Sequence, residues 1–313
     1  MHFTKSFVAA VAFALASNLV VEASPIPSKA VEAYVPMSKR KFTAEEIDHH
    51  EGLFKRAFPG VNNWNCKPSA ARPRAVILVH GLIGSEDTNW AYMSPRFLAE
   101  GYCVYALTYG QLPGIPLIAG LDKIETSAGQ LSTFIDKVLA STNTTKVDLV
   151  GHSQGSLMPR YYLKNLGGAS KVSKFAAFGT IAYGTTLLGI APFLTGLGLY
   201  DPIKKIVDPI CKSCFQFLAG SPFLTELNKG GDTVPGVSYH FIQSQYDEVV
   251  TPYTSGRLRD NNPLVKNIKL QDLCSLDLSE HAFQMLDPIV FHSVNAFLSP
   301  SEDQNINCLD ALR

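Results

Sequence analysis

The chain has 313 residues, 46% hydrophobic and 17% charged, with 27 Lys and Arg balancing 27 Asp and Glu. That length and apolar content suffice to bury one sizeable core and exclude disorder over most of the chain. A formal net charge of zero supplies neither a basic face for nucleic acid nor an acidic tail, so no nucleic-acid partner is expected.

The first residues, MHFTKSFVAAVAFALASNLVVEAS, carry Lys5, then an apolar and small-residue stretch, then Val21 and Ala23 in the spacing that signal peptidase accepts. They predict a signal peptide, residues 1–23, in a secreted, extracellular protein. The apolar run is too short, and lacks the flanking charges, for an integral membrane anchor. Residues 24–56 are polar and contain Lys39-Arg40 and Lys55-Arg56, pairs that resemble sites of kexin-type processing. A propeptide over 24–56 and a catalytic domain over 57–313, starting at Ala57, are expected.

From residue 74, short β-rich runs alternate with helical patterns. AVILVH (75–80) and CVYALTY (103–109) are predicted strands, separated by NWAYMSPRFLAEG, whose Gly101 stops a helix. KIETSAGQLSTFIDKVLAS places Ile124, Leu131, Phe134, Ile135, Val138 and Leu139 on one helical face. Asn143-Thr144-Thr145 is a glycosylation sequon. VDLV (147–150) is the next strand, and SLMPRYYLKNLGG a helix in which Pro159 is early enough to be tolerated. KFAAFG, VSYHFIQ and LVKNIKL are further strands, and DPIVFHSVNAFL is a closing helix. Continuous apolar strands alternating with helices imply an α/β fold, a mostly parallel sheet covered on both faces.

Residues 181–235 break the alternation with a long apolar segment interrupted by Gly and Pro, which is either extra core or a cover over a site. Within it, LLGIAPFLTGLGLY (187–200) has the composition of a lid. The six cysteines, Cys66, Cys103, Cys211, Cys214, Cys274 and Cys308, lie beyond Ala57. An even count in a secreted chain points to disulfides, but spacing leaves the pairing open. Cys211-x-x-Cys214 has no second pair and no nearby His, which argues against a zinc or redox element.

LVGHSQGS (149–156) sets Ser153 between Gly151 and Gly155 at the junction of a strand and a helix. Side chains at those glycines would collide with neighbouring backbone in a tight turn that exposes a serine nucleophile. A serine needs a base, and the base an orienting carboxylate, in the chain order Ser, acid, His. Asp247 follows the strand VSYHFIQ, with Glu248 and Asp260 as alternatives. His281 lies in the loop after the next strand, with His292 as the alternative. His80 and His152 precede that order and are structural supports. An oxyanion would be received by the N–H of Gln154 and by an N–H of VHGLIG, at Gly81 or Leu82. No metal or organic cofactor is required.

VILVHGLIGSEDTNW, GYCVYALTYG, VDLVGHSQGSLMPRYYLKNLGG, YGTT, SPFLTELNKGGDTVPGVSYHFIQSQYDEVVTPY and LQDLCSLDLSEH resemble the secreted class 2 lipases and, more distantly, the Candida antarctica lipase B group. The resemblance covers about residues 60–308. It implies an α/β-hydrolase fold and carboxylic ester hydrolysis; the expected substrate is a lipid ester, triacylglycerols foremost, met at an oil–water interface if 187–200 is a lid, and the expected state is a monomer. It implies acyl transfer to Ser153 with Asp247 and His281 completing the triad, and the pairs Cys66–Cys103, Cys211–Cys214 and Cys274–Cys308. Where many relatives have Thr after the His-Gly pair, this chain has Leu82, which offers an oxyanion only its backbone. A short-chain esterase, a cutinase-like polyester hydrolase or an acyltransferase would use the same triad, and a hydrolase-fold binding protein would lack the activity.

Overall fold

The computed structural model describes residues 59–113, 118–189, 191, 195–299 and 305–312. The expected signal peptide, the propeptide with its dibasic pairs, and Ala57 lie outside the described residues. Six strands, β1 (Val76–Val79), β2 (Val104–Leu107), β3 (Val147–His152), β4 (Val172–Phe178), β5 (Ser238–Gln243) and β6 (Val265–Lys269), form one sheet in the order β2-β1-β3-β4-β5-β6. Every pairing is parallel. The runs VILV and VYAL are buried along their whole length because helices cover both faces. Successive residues alternate between two cores: Ile77 and Val79 enter one, Val76 and Leu78 the other.

The helices are α1 (Glu86–Asn89), α2 (Met93–Ala99), α3 (Ile124–Thr142), α4 (Gln154–Asn165), α5 (Tyr200–Val207), α6 (Pro222–Asn228), α7 (Leu270–Leu273) and α8 (Pro288–Leu298). On α3, Ile124, Leu131, Ile135 and Val138 are buried as the periodicity predicts, with Phe134 and Leu139 half-buried against the same core. Asn143 ends α3 in the left-handed conformation at φ 55°. The helix expected within residues 89–101 is shorter. Asn89 is the last residue of α1, which Ser85 caps by accepting from Thr88 N–H, and α2 begins only at Met93. The Asp287 carboxylate caps α8 by accepting from the amides of Ile289 and Val290. Among the described residues, no helix is long and apolar enough to cross a membrane.

All six cysteines are paired: Cys66–Cys103, Cys211–Cys214 and Cys274–Cys308. The described residues of 181–235 divide between core and surface. Ile181, Ala182, Phe217, Leu224 and Leu227 are buried in the main core, whereas Leu188, Leu197, Leu199, Ile206 and Ile210 are exposed and α5 buries none of its residues. Two roots hold the exposed stretch. At the first, Thr186 N–H donates to the Thr251 carbonyl (2.9 Å) and Leu188 N–H to Thr251 Oγ1 (2.7 Å). At the second, Lys212 N–H donates to the Leu121 carbonyl (2.7 Å) and Ser213 Oγ to that of Gly120 (2.6 Å).

Candidate active site

The carboxyl edge of a parallel sheet is where strands hand over to loops and helices, and so where a site is assembled. Here β1 leads into His80-Gly81-Leu82, β3 into Ser153, β5 into Asp247, and β6 through α7 into His281. Ser153 sits at φ 54°, ψ −118° between β3 and α4, a backbone conformation that L-residues adopt at a cost. The glycines of LVGHSQGS make it possible. A Cβ at Gly151 would lie 2.0 Å from the Gly155 carbonyl oxygen, and one at Gly155 would lie 2.0 Å from that of Val79. Ser153 N–H donates to the Phe178 carbonyl (3.1 Å). Ser156 Oγ, a member of the same octapeptide, donates to the Ser153 carbonyl (2.6 Å) while accepting from Ile181 N–H (2.8 Å).

Ser153 Oγ lies 2.8 Å from His281 Nε2, and His281 Nδ1 lies 2.7 Å from Asp247 Oδ2. All three side chains are buried. The second oxygen of Asp247 accepts from the amides of Val249 (3.0 Å) and Val250 (2.7 Å), so the turn itself aims the carboxylate. The alternatives lie elsewhere. Asp260 accepts from the amides of Asp232 and Thr233, and His292 is half-buried on α8 against Phe291. Glu248 is half-buried beside Asp247, and it is Asp247 that meets the imidazole.

In the turn after β1, Gly81 N–H donates to Asn89 Oδ1 (3.1 Å), Ile83 N–H to the Ala119 carbonyl (2.9 Å) and Gly84 N–H to that of Gly81 (3.1 Å). Among the described residues no hydrogen bond engages the N–H of Leu82 or Gln154. Both residues border Gly120, where an added Cβ would lie 3.3 Å from Leu82 Cα and 3.0 Å from Gln154 Oε1. Gln154 Nε2 donates to the Gly120 carbonyl (3.0 Å). The Leu82 side chain joins Leu112, Leu121, Val207 and the Cys211–Cys214 bridge in a small apolar cluster. Its body therefore links the turn to the Leu121–Cys211 region.

His80 and His152 do not meet Ser153 Oγ. His80 stacks on Tyr109 (4.1 Å between ring centroids), Nδ1 donating to the Gly81 carbonyl and Nε2 accepting from Tyr109 N–H. Burial holds its pKa down at about 4, so it is neutral. Burial, aided by the neighbouring His281, holds His152 down at about 3. Motif reading does not find Asn89, Ser244, Gln271 or Gln284, whose roles arise only in three dimensions. Ser244 Oγ donates to the Ser279 carbonyl (2.6 Å), and Gln271 Nε2 to Ser244 Oγ (3.0 Å) and the Asp277 carbonyl (3.1 Å), joining the acid and histidine loops. Gln284 Oε1 accepts from Gly179 N–H (3.0 Å).

The family model of lipase (class 2) matches residues 73–284, which include every one of these side chains. The chain belongs to the class 2 lipases. Its backbone is similar to Aspergillus fumigatus lipase B, with a TM-score of 0.60 at 20% identity over 93% of this chain and 70% of that one. It is also similar to the mature Bacillus licheniformis lipase BlEst2, with a TM-score of 0.55 at 17% identity over 74% and 94%. The class 2 lipase thus has the α/β-hydrolase fold. In sequence it is 34% identical over 103 residues to the triacylglycerol lipases of Pseudarthrobacter phenanthrenivorans and Burkholderia plantarii. Those matches span 29% of this chain and 28% and 25% of the two relatives, about a quarter of their length.

Proposed function

We propose that this class 2 lipase is a secreted serine hydrolase that cleaves the carboxylic esters of lipids, triacylglycerols first, through an acyl-enzyme on Ser153. The observation that carries the reading is the unbroken chain Ser153 Oγ, His281, Asp247, with links of 2.8 and 2.7 Å. Ser153 Oγ attacks the ester carbonyl as His281 Nε2 takes its proton, and Asp247 holds the imidazole and offsets its charge. The amides of Leu82 and Gln154 receive the oxyanion. Collapse expels the alcohol, protonated by His281, and water then releases the acid by the same steps in reverse.

Two related features support lipid esters over small soluble ones. Leu188, Leu197 and Leu199 are exposed apolar side chains, and the segment's roots abut the loop after Asp247 and the Gly120–Leu121 segment beside Leu82. Leu187 and Leu188 sit at φ 49° and 57°, backbone stored at one root. These features support the reading of residues 187–200 as a cover that opens at an oil–water interface. Secretion is supported by the leader-like first residues and by three disulfides. Asn143 is exposed at the end of α3, accessible to a glycan.

The test is hydrolysis of p-nitrophenyl butyrate, tributyrin, triolein and a polyester film, with fluorophosphonate labelling. Ser153→Ala is expected to abolish both labelling and turnover while leaving the melting temperature unchanged. Substantial activity in that variant would refute the assignment. Turnover of the film but not of triolein would make the protein a polyester hydrolase.

A further inference from the structure

His152 is a buried titratable group that the reaction as described does not use. Its ring lies against Phe178 (5.1 Å between centroids) and 5.2 Å from the His281 ring, and Gly179 leaves the space where both rings meet. A Cβ on Gly179 would lie 3.2 Å from His281 Cε1 and 3.4 Å from His152 Cδ2. His152 Nε2 is 3.2 Å from the backbone carbonyl oxygen of His281, and Nδ1 is 3.0 Å from Asn89 Oδ1. The same Asn89 oxygen accepts Gly81 N–H, so the amide is turned with its oxygen towards His152, and Asn89 Nδ2 is buried with no hydrogen-bond partner among the described residues. One imidazole therefore spans two parts of the site that no strand joins directly: the turn carrying Leu82 and the loop carrying the base. A neutral ring has one N–H and donates to one of these oxygens at a time.

We propose that His152 is a positioning residue, which with Asn89 sets the distance between the Gly81–Leu82 turn and the His281 backbone. The proposal rests on Ser153 as the acyl acceptor. Its physical basis is that reacting groups must be held to well under 1 Å, and a misplacement of that size costs about 100-fold in rate. Burying an Asn whose amide nitrogen has no partner is a standing cost, and here that nitrogen belongs to the group that anchors the turn.

Three substitutions divide the two contacts. In His152→Gln the amide nitrogen stands where Nε2 stood and still reaches the His281 carbonyl. In His152→Asn it stands near the place of Nδ1 and reaches only Asn89. His152→Phe fills the ring's volume and reaches neither. Each purified protein is titrated with a fluorophosphonate, and kcat per labelled site is measured on p-nitrophenyl butyrate. The expected result is a loss of about 100-fold for His152→Phe with KM within about twofold of the parent. His152→Gln and His152→Asn should each recover about tenfold of that loss. A role in packing alone would lower the number of labelled sites without changing kcat per site, which overturns the proposal, as would parental kcat in His152→Phe. If His152→Phe does not fold, parental kcat in both amide variants overturns it and a loss in either supports it. Failure of the parent itself to label defeats the reading of Ser153, whereas a labelled parent with unaffected variants defeats only the role of His152.

Discussion

At the scale of single residues, the site depends on backbone that only particular side chains permit. Gly151 and Gly155 leave no room for a methyl group, and their absence of Cβ is what lets Ser153 hold φ 54°. Asp247 is fixed from behind by two amides, so Asp247→Asn should keep the geometry and lose the charge that holds the correct imidazole tautomer. The expected fall in kcat is about 10⁴-fold with an unchanged melting temperature. A fall below tenfold would return Glu248 to consideration as the acid. That Ser153, Asp247 and His281 meet was legible in the sequence, because each follows a β-rich run and the strands' carboxyl ends share one edge of the sheet. Asn89 was not, since its tie to His152 crosses 63 positions and leaves no local pattern. Leu82 was legible as a departure but not as a packing residue, because its partners Leu112, Val207 and the Cys211–Cys214 bridge come from distant segments.

At the scale of elements, the strands and the long helices were readable because their apolar periodicity faces a core. α5 was not, because none of its residues is fully buried and the cluster that Val207 joins is assembled from Leu112, Leu121 and Cys211, far apart in the chain. The 181–235 insertion looked uniform and is divided: one part is locked to α4, the other is exposed. The lock is ionic. Arg160 on α4 pairs with Asp232 (3.2 Å), and also donates to the Ala182 carbonyl (3.1 Å) and Asn228 Oδ1 (2.6 Å), while Tyr183 donates to Asp232 (2.8 Å). Removing one partner strands a buried charge, so Asp232→Ala should cost about 3–5 kcal/mol in chemical denaturation. A cost under 1 kcal/mol would mean that the insertion is not tied to α4 through this pair. The exposed part makes a separate prediction. Replacing residues 187–200 by a short Gly-Ser linker should preserve folding and remove the rise in rate as tributyrin passes its solubility limit. An undiminished rise after the replacement, or no rise in the parent, would sink the idea of a cover.

For the whole molecule, acid is the weak flank. His80, His152 and His240 are held by burial at about 4, 3 and 4, below their ordinary value of 6.5. Above pH 6.5 they are neutral in both folded and unfolded chains and cost nothing. As pH falls below 6.5 the unfolded chain takes up protons that the folded one refuses, and stability falls until pH drops through those lower values. Asp287 works in the opposite sense. Burial raises it from 3.8 to about 6, so its contribution is full below 3.8 and fades as pH rises through 6. Three histidines outweigh one aspartate, and the net loss from pH 7 to pH 5 is roughly 4 kcal/mol. The melting temperature should drop by roughly 10 °C over that interval. A flat profile would show that these rings are hydrated in the folded protein.

The Cys274–Cys308 bridge closes a covalent ring of chain, 34 positions long, that contains both the histidine loop and α8. In a chain-entropy view, such a closure removes about 4 kcal/mol of unfolded-state freedom. α8 lies inside that ring, and its Ile289, Val290 and Val294 are buried in one core with Val76 and Leu78, so the ring is seated against the sheet. Material made in a reducing cytoplasm would lack this closure and the other two bridges, and it should unfold at a lower denaturant concentration than oxidised material.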